Sequence, residues 1–245
     1  MGKWKVTYSI SPISIQIHIY EYPNLGLKFE YDSYGKLYKV VHSIEVSEEI
    51  HEYEKVFIKS EEQLYLLWEY INYAQGMPVI IESRTAERLD NHTEPAIGDY
   101  SLQGKMVVRK AIEKMLDEDR FLNPPPRLSA WLTLANRARD GSDEEAIRNY
   151  YMILEDMEGR PEDGQKDEKG KPKPELELKY VRDFVSHGDC LTNQKLLQYL
   201  KDIFNKSVCR FDPQDPEHKN FIRSKREEAR KLIEEKINKR LFSNN

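Results

Sequence analysis

What most constrains this chain is a change of hydrophobic period partway along it. In the N-terminal third, stretches of the chain carry apolar side chains at every second position. Trp4, Val6, Tyr8 and Ile10 share one parity, and Ile13, Ile15, Ile17 and Ile19 take the other. Period 2 with β-branched and aromatic residues predicts strands, and the change of parity predicts a turn near Ser11-Pro12. Tyr22-Pro23-Asn24-Leu25-Gly26 reads as a second turn. Leu27, Phe29 and Tyr31 alternate again, and Asp32-Ser33-Tyr34-Gly35 reads as a hairpin loop into Leu37-Tyr38-Lys39-Val40-Val41. Strand character continues through Ile44 and Val46 and returns at Val56-Phe57-Ile58.

Ser60-Glu61-Glu62-Gln63 has the form of a capping box. The helix behind it carries Leu64, Leu67, Trp68 and Ile71 and stops at Gly76. Pro78-Val79-Ile80-Ile81 then predicts a short buried strand. Residues 1–83 therefore read as an α+β domain, a mainly antiparallel sheet with one covering helix. Its histidines, His18, His42 and His51, lack ligand-like spacing and read as surface or strand residues. Residues 84–104 are polar and irregular, and read as a linker.

From residue 105 the period becomes 3.6. Met106, Val107, Ile112, Met115 and Leu116 predict one helix, ended by Asn123-Pro124-Pro125-Pro126. Leu128, Trp131, Leu132, Ala135 and Ala138 predict a second, ended by Asp140-Gly141. A capping box at Ser142-Asp143-Glu144-Glu145 opens a third, through Ile147, Tyr150, Tyr151 and Leu154 to Gly159. The aromatics Trp131, Tyr150 and Tyr151 sit at core spacing. Residues 158–174 are almost devoid of apolar side chains and predict an exposed, mobile loop. Leu196, Leu197, Leu200, Ile203 and Phe204 mark a later helix. Asp215 with Pro216 starts the last one, through Ile222, Ala229, Leu232, Ile233, Ile237 and Leu241. Residues 105–245 thus read as an all-α helical bundle.

Several function classes drop out. No apolar run approaches the ~18 residues of a membrane span, and the N-terminus has no signal-peptide core, so the expected compartment is the cytoplasm. The cysteines, Cys190 and Cys209, form no CxxC or Cys/His cluster, so neither a zinc site nor any other metal or cofactor is expected. Net charge is −5, but residues 218–245 carry +5 and the remainder −10. An acidic chain is not a general nucleic-acid binder. Its basic last helix either contacts phosphates locally or is a solvated face.

The candidate chemistry lies in Tyr180-Val181-Arg182-Asp183-Phe184-Val185-Ser186-His187-Gly188. Val181, Phe184 and Val185 at i, i+3 and i+4 form one apolar face. On an ideal helix Arg182, Asp183, Ser186 and His187 point the other way, and Gly188 supplies the stop. Arg182 can bind a phosphate bidentately and His187, with an ordinary pKa near ~6.5, can move a proton near neutral pH. Asp183 is better placed to orient one of them than to react. The two key groups stand about 140° apart around the helix, so one copy does not stack them together. The alternative is a solvated helix face, with His187 favoured at the helix C-terminus by the dipole.

An arginine followed by an acid, an Arg-x4-His spacing, inward apolar residues and a glycine after the histidine, all on a bundle helix, resemble the signature of the HEPN family (higher eukaryotes and prokaryotes nucleotide-binding). The resemblance covers roughly residues 105–242. It implies a metal-independent endoribonuclease in which two protomers of a homodimer meet to form one composite RNA site. Arg182 would hold the phosphate, His187 would serve as base or acid, and Asp183 would support them. The products would be a 2′,3′-cyclic phosphate and a 5′-OH end. A toxin or defence role, with an antitoxin or regulatory partner, is implied by the resemblance alone. Where some antitoxin-paired members carry a tyrosine, this chain has Asp189. Ser186 joins the candidate RNA contacts from the same helix, Arg137 from the second helix and Arg223 from the last. For the last two, a solvated face and i,i+4 ion pairs are the competing reading. A non-catalytic dimerisation scaffold and a nucleotide-binding sensor remain the alternatives for the whole bundle.

Overall fold

The computed structural model describes residues 2–14, 20–47, 53–76, 78–89, 96–99, 122–186 and 192–242. The expected helix through Met106 to Leu116 lies outside them, as do Ile15, Ile17 and Ile19, His18, His51, His187, Gly188, Asp189 and Cys190. The chain divides into two compact units, Met1–Ser129 and Ala130–Asn245. An antiparallel sheet with one helix is followed by a helical bundle, the α+β arrangement read from the sequence.

The sheet has six strands: β1 (Gly2–Ser14), β2 (Glu21–Tyr22), β3 (Leu27–Tyr31), β4 (Lys36–Val46), β5 (Ile81–Arg88) and β6 (Ala96–Asp99). They run in the order β2-β3-β4-β1-β5-β6, every pair antiparallel. Central β1 buries Trp4, Val6, Tyr8 and Ile10, and its odd-numbered neighbours face outward. The parity change is not a turn. β1 continues through Ser11-Pro12, and its register shifts after Ser9 against both β4 and β5. This bulge lets Ile13 return to the buried face at 4% exposure. A bulge and a turn leave the same parity signature, and a proline is tolerated in either.

The hairpin between β3 and β4 forms as expected, with Asp32 Oδ1 accepting from the backbone N–H groups of Tyr34 and Lys36 at 2.9 Å each. Gly26, at φ +64°, lies against the Ser43 carbonyl oxygen, where a Cβ would collide with backbone. β5 and β6 fall largely within residues 84–104, so the sheet extends into the stretch read as linker. Arg84 and Ala86 are buried there and carry the alternation onward.

Helix α1 (Tyr53–Gln75) covers the sheet. It starts seven residues before the capping box, so Val56-Phe57-Ile58 is helix, not strand, and Ser60 is interior. The stripe Val56, Phe57, Ser60, Leu64, Leu67 and Ile71 is buried along one face. Its helical period overrides the β propensity of the triplet. Ser60 is fully buried, accepts from Tyr8 Oη at 2.8 Å and meets His42 Nδ1 at 2.8 Å. Arg84 lies over the Phe57 ring at 4.3 Å and pairs with Glu61 and Glu54 of α1.

The helical unit takes in α2 (Leu128–Asp140) from Ala130 onward, α3 (Asp143–Glu158), α4 (Pro174–Ser186), α5 (Gln194–Phe204) and α6 (Pro216–Phe242). Ser142 caps α3 by accepting from Glu145 N at 3.2 Å, and Gly159 ends it. Asn193 caps α5, and Asp215 accepts from Glu217 N at the start of α6. α3 packs on α4 and α6, and α4 packs on α5 and α6. Arg226 of α6 ties α2 to α3, bonding Asp143 at 2.7 Å and the carbonyls of Ala138 and Arg139 at 3.1 and 2.7 Å. The loop before α4 is exposed from Glu162 to Lys171, but its base is held by buried Lys179, which donates to Pro161 O and Asp163 Oδ1.

Candidate functional site

α4 is the pivot of the bundle, and it is buried far beyond a single apolar stripe. Leu176, Leu178, Lys179, Tyr180, Val181, Asp183, Phe184 and Val185 are all buried. Phe184 is completely buried against Phe211 at 5.5 Å, His218 at 5.4 Å and Phe204 at 6.1 Å between ring centroids. Rings on both neighbouring helices therefore fix how α4 is rotated. What remains open toward its C-terminus is a narrow sector occupied by Arg182 and Ser186.

The expected polar face thus needs one correction. Asp183 does not share an open face with Arg182; it is buried at 6% exposure. Burying a carboxylate is costly unless it is paired, and Arg182 Nη1 donates to Asp183 Oδ1 at 2.7 Å. Adjacent helix residues do not face each other, so the long arginine stem bends back to reach the acid. The same guanidinium lies 4.4 Å from the centroid of the Tyr151 ring on α3. Tyr151 is buried, which raises its phenol pKa; nearby Glu155 adds to the rise and Arg182 opposes it. The ring is therefore a neutral platform, held also by its Oη donating to Glu155 at 3.3 Å. A salt bridge on one side and a π face on another hold Arg182 in one place.

Ser186 is exposed and is met by Arg148 of α3, a residue the sequence analysis did not single out. Arg148 Nη2 donates to the Val185 carbonyl at 2.8 Å and Nε donates to Ser186 Oγ at 3.3 Å. Arg148 and Tyr151 stand at i and i+3, on one face of α3. That spacing was visible in the sequence; which helix the face would meet was not. The contact brings a second guanidinium to the last turn of α4, immediately before His187 in the chain.

The other candidates lie elsewhere. Arg137 is exposed near the end of α2. Arg223 is exposed on α6, with Nε 3.6 Å from Asp143 at the start of α3. Asp143 precedes Tyr151 by eight residues, about 12 Å of helix, so Arg223 does not join the Arg182 group. Around it the basic residues of α6 pair locally, Arg230 with Glu227 and Glu234 and Lys225 with Glu228. Trp131, Tyr150 and Tyr151 are core residues, as their spacing indicated. Among the described residues no group of three or more His, Cys, Asp or Glu could hold a metal ion. Nor is any helix among them long and apolar enough to cross a membrane.

Compared with known proteins, the chain matches no family model, no curated protein and no solved structure.

Proposed function

We propose that the helical unit is a HEPN-like endoribonuclease that cleaves RNA without a metal and assembles its site across a homodimer. The observation that carries this reading is the fixed Arg182 guanidinium. It is held by Asp183 at 2.7 Å and by the Tyr151 ring at 4.4 Å, in the open sector of an otherwise buried helix.

In this reading the Arg182 guanidinium meets the scissile phosphate. It neutralises charge as the 2′-OH attacks and the five-coordinate phosphorane forms. Positioned electrostatic stabilisation of this kind is worth roughly 10²–10³ in rate. His187 removes the 2′-OH proton or delivers one to the 5′ oxygen that leaves; the second protomer's pair supplies the complementary role. Buried Asp183 stays a positioning residue. Intramolecular attack requires the 2′-OH, so the substrate is RNA and not DNA.

The test is incubation of purified protein with mixed RNAs in EDTA, beside Arg182→Ala and His187→Ala. EDTA-resistant cleavage, lost in both variants and yielding cyclic phosphate ends, supports the proposal. Equal cleavage by all three proteins sinks the site. Absence of cleavage by the wild type favours a second reading, a non-catalytic scaffold or nucleotide sensor. The neutralisation of Arg182 by Asp183 is the observation that would support that reading. Mass in solution tests the dimer separately.

A further inference from the structure

We propose that Arg148 is a second phosphate-binding residue of the Arg182 site, gripping the RNA backbone beside the scissile group. The inference rests on the RNA reading above but not on cleavage. Arg148 is an exposed side chain that is nonetheless immobilised, through Nη2 to Val185 O at 2.8 Å and Nε to Ser186 Oγ at 3.3 Å.

These two bonds use one edge of the guanidinium, the Nε–H and one Nη2–H. The other edge, the two Nη1–H groups and the second Nη2–H, has no partner among the described residues. That remaining edge is a ready fork for two phosphate oxygens. Its orientation is already set, so little side-chain entropy is lost on binding.

A carbonyl dipole is negative at its oxygen, and Arg148 bonds the Val185 carbonyl directly, which turns the local potential beside Ser186 toward an anion. Because Ser186 Oγ accepts from Arg148, its hydroxyl proton is left to donate to the same phosphate. On α3, Arg148 lies about 4.5 Å of helix rise before Tyr151, the platform of Arg182. Two held guanidiniums, Arg148 against Ser186 and Arg182 one turn earlier on α4, suit a polyanion better than a single small phosphate.

The experiment measures binding of a single-stranded 2′-O-methyl RNA, which has no free 2′-OH to react. Fluorescence anisotropy across a salt series is compared for wild type, Arg148→Gln and Arg148→Lys, with a melting curve for each. Arg148→Gln is expected to bind about tenfold more weakly, with the slope of log affinity against log salt reduced by ~0.7, one phosphate contact on a single strand. Arg148→Lys is expected to keep the slope and lose part of the affinity, since it has the charge without the fork. A lower melting temperature with an unchanged salt slope would make Arg148 a helix cap only and overturn the inference. Wild type that binds no RNA overturns it together with the RNA reading. A reduced slope in Arg148→Gln without EDTA-resistant cleavage by wild type sustains it and removes the nuclease. Cleavage by wild type with an unchanged slope in Arg148→Gln does the reverse.

Discussion

The sheet unit is expected to lose stability in mild acid through one buried histidine. His42 on β4 is 3% exposed, and its Nδ1 lies 2.8 Å from Ser60 Oγ. Ser60 already accepts the Tyr8 hydroxyl at 2.8 Å, so its own proton goes to His42 Nδ1. Protonating the ring would put an N–H against that O–H. Burial pushes the His42 pKa down to about 4, with a backbone hydrogen bond to Leu25 opposing it weakly. Because the folded pKa is depressed, the unfolded chain takes the proton first. The contribution is therefore complete above the unfolded value near ~6.5 and is lost as the pH falls toward about 4. Linkage between those two values gives about 2 kcal/mol lost between pH 7.5 and pH 5, and about 3 kcal/mol well below both. With a urea slope of roughly 2 kcal/mol per molar, the midpoint falls by about 1 M. Trp4 and Trp68 report on this unit, and Trp131→Phe removes the fluorophore of the helical unit. The measurement is urea unfolding of that variant at the two pH values, with and without His42→Gln. The glutamine protein starts less stable but should lose about 2 kcal/mol less on acidification. An equal loss in both proteins would refute the argument, because the titrating group would then lie elsewhere.

Two further outcomes follow from geometry. Gly26→Ala drives a Cβ into the Ser43 carbonyl at φ +64° and should destabilise the sheet unit by more than about 1 kcal/mol, read as a lower urea midpoint. Lys179→Met cuts the bonds to Pro161 O and Asp163. Trypsin should then cleave faster at Lys166 and Lys169, while Arg226, braced between α2 and α3, stays protected.

The legible parts of the fold were those set by local chemistry. The alternation in β1, the Asp32-Ser33-Tyr34-Gly35 turn, the Ser142 cap and the Asp215-Pro216 start each depend on a few neighbouring residues. The errors share one cause, signals that two structures produce alike. A parity change fits a turn or a bulge, and β1 bulges because its pairing with β4 resumes past Pro12, at Ile13 and Ser14. Ser-x-x-Gln fits a cap or a helix interior. Ser60 is interior because Tyr8 and His42, far away in sequence, need its small hydroxyl where the helix crosses the sheet. Residues 84–88 read as linker because the stretch is polar and irregular, yet Arg84 is buried there. Glu54, Glu61 and Phe57 of α1 let it be buried.

The same limit applies at the candidate site. Helical periodicity fixes which residues share a face of α4, not how many faces are covered. One apolar stripe was visible, but packing against α3, α5 and α6 covers almost the whole circumference. Asp183 was therefore legible as a partner for Arg182 and illegible as a buried one. The difference changes its chemistry. A buried carboxylate depends on its cation, so Asp183 holds Arg182 more firmly than an exposed acid would, but it also consumes part of its charge. An anion at the end of α4 then needs more positive charge than Arg182 alone supplies. Arg148 brings that charge from α3, through a contact that exists only once the two helices are packed.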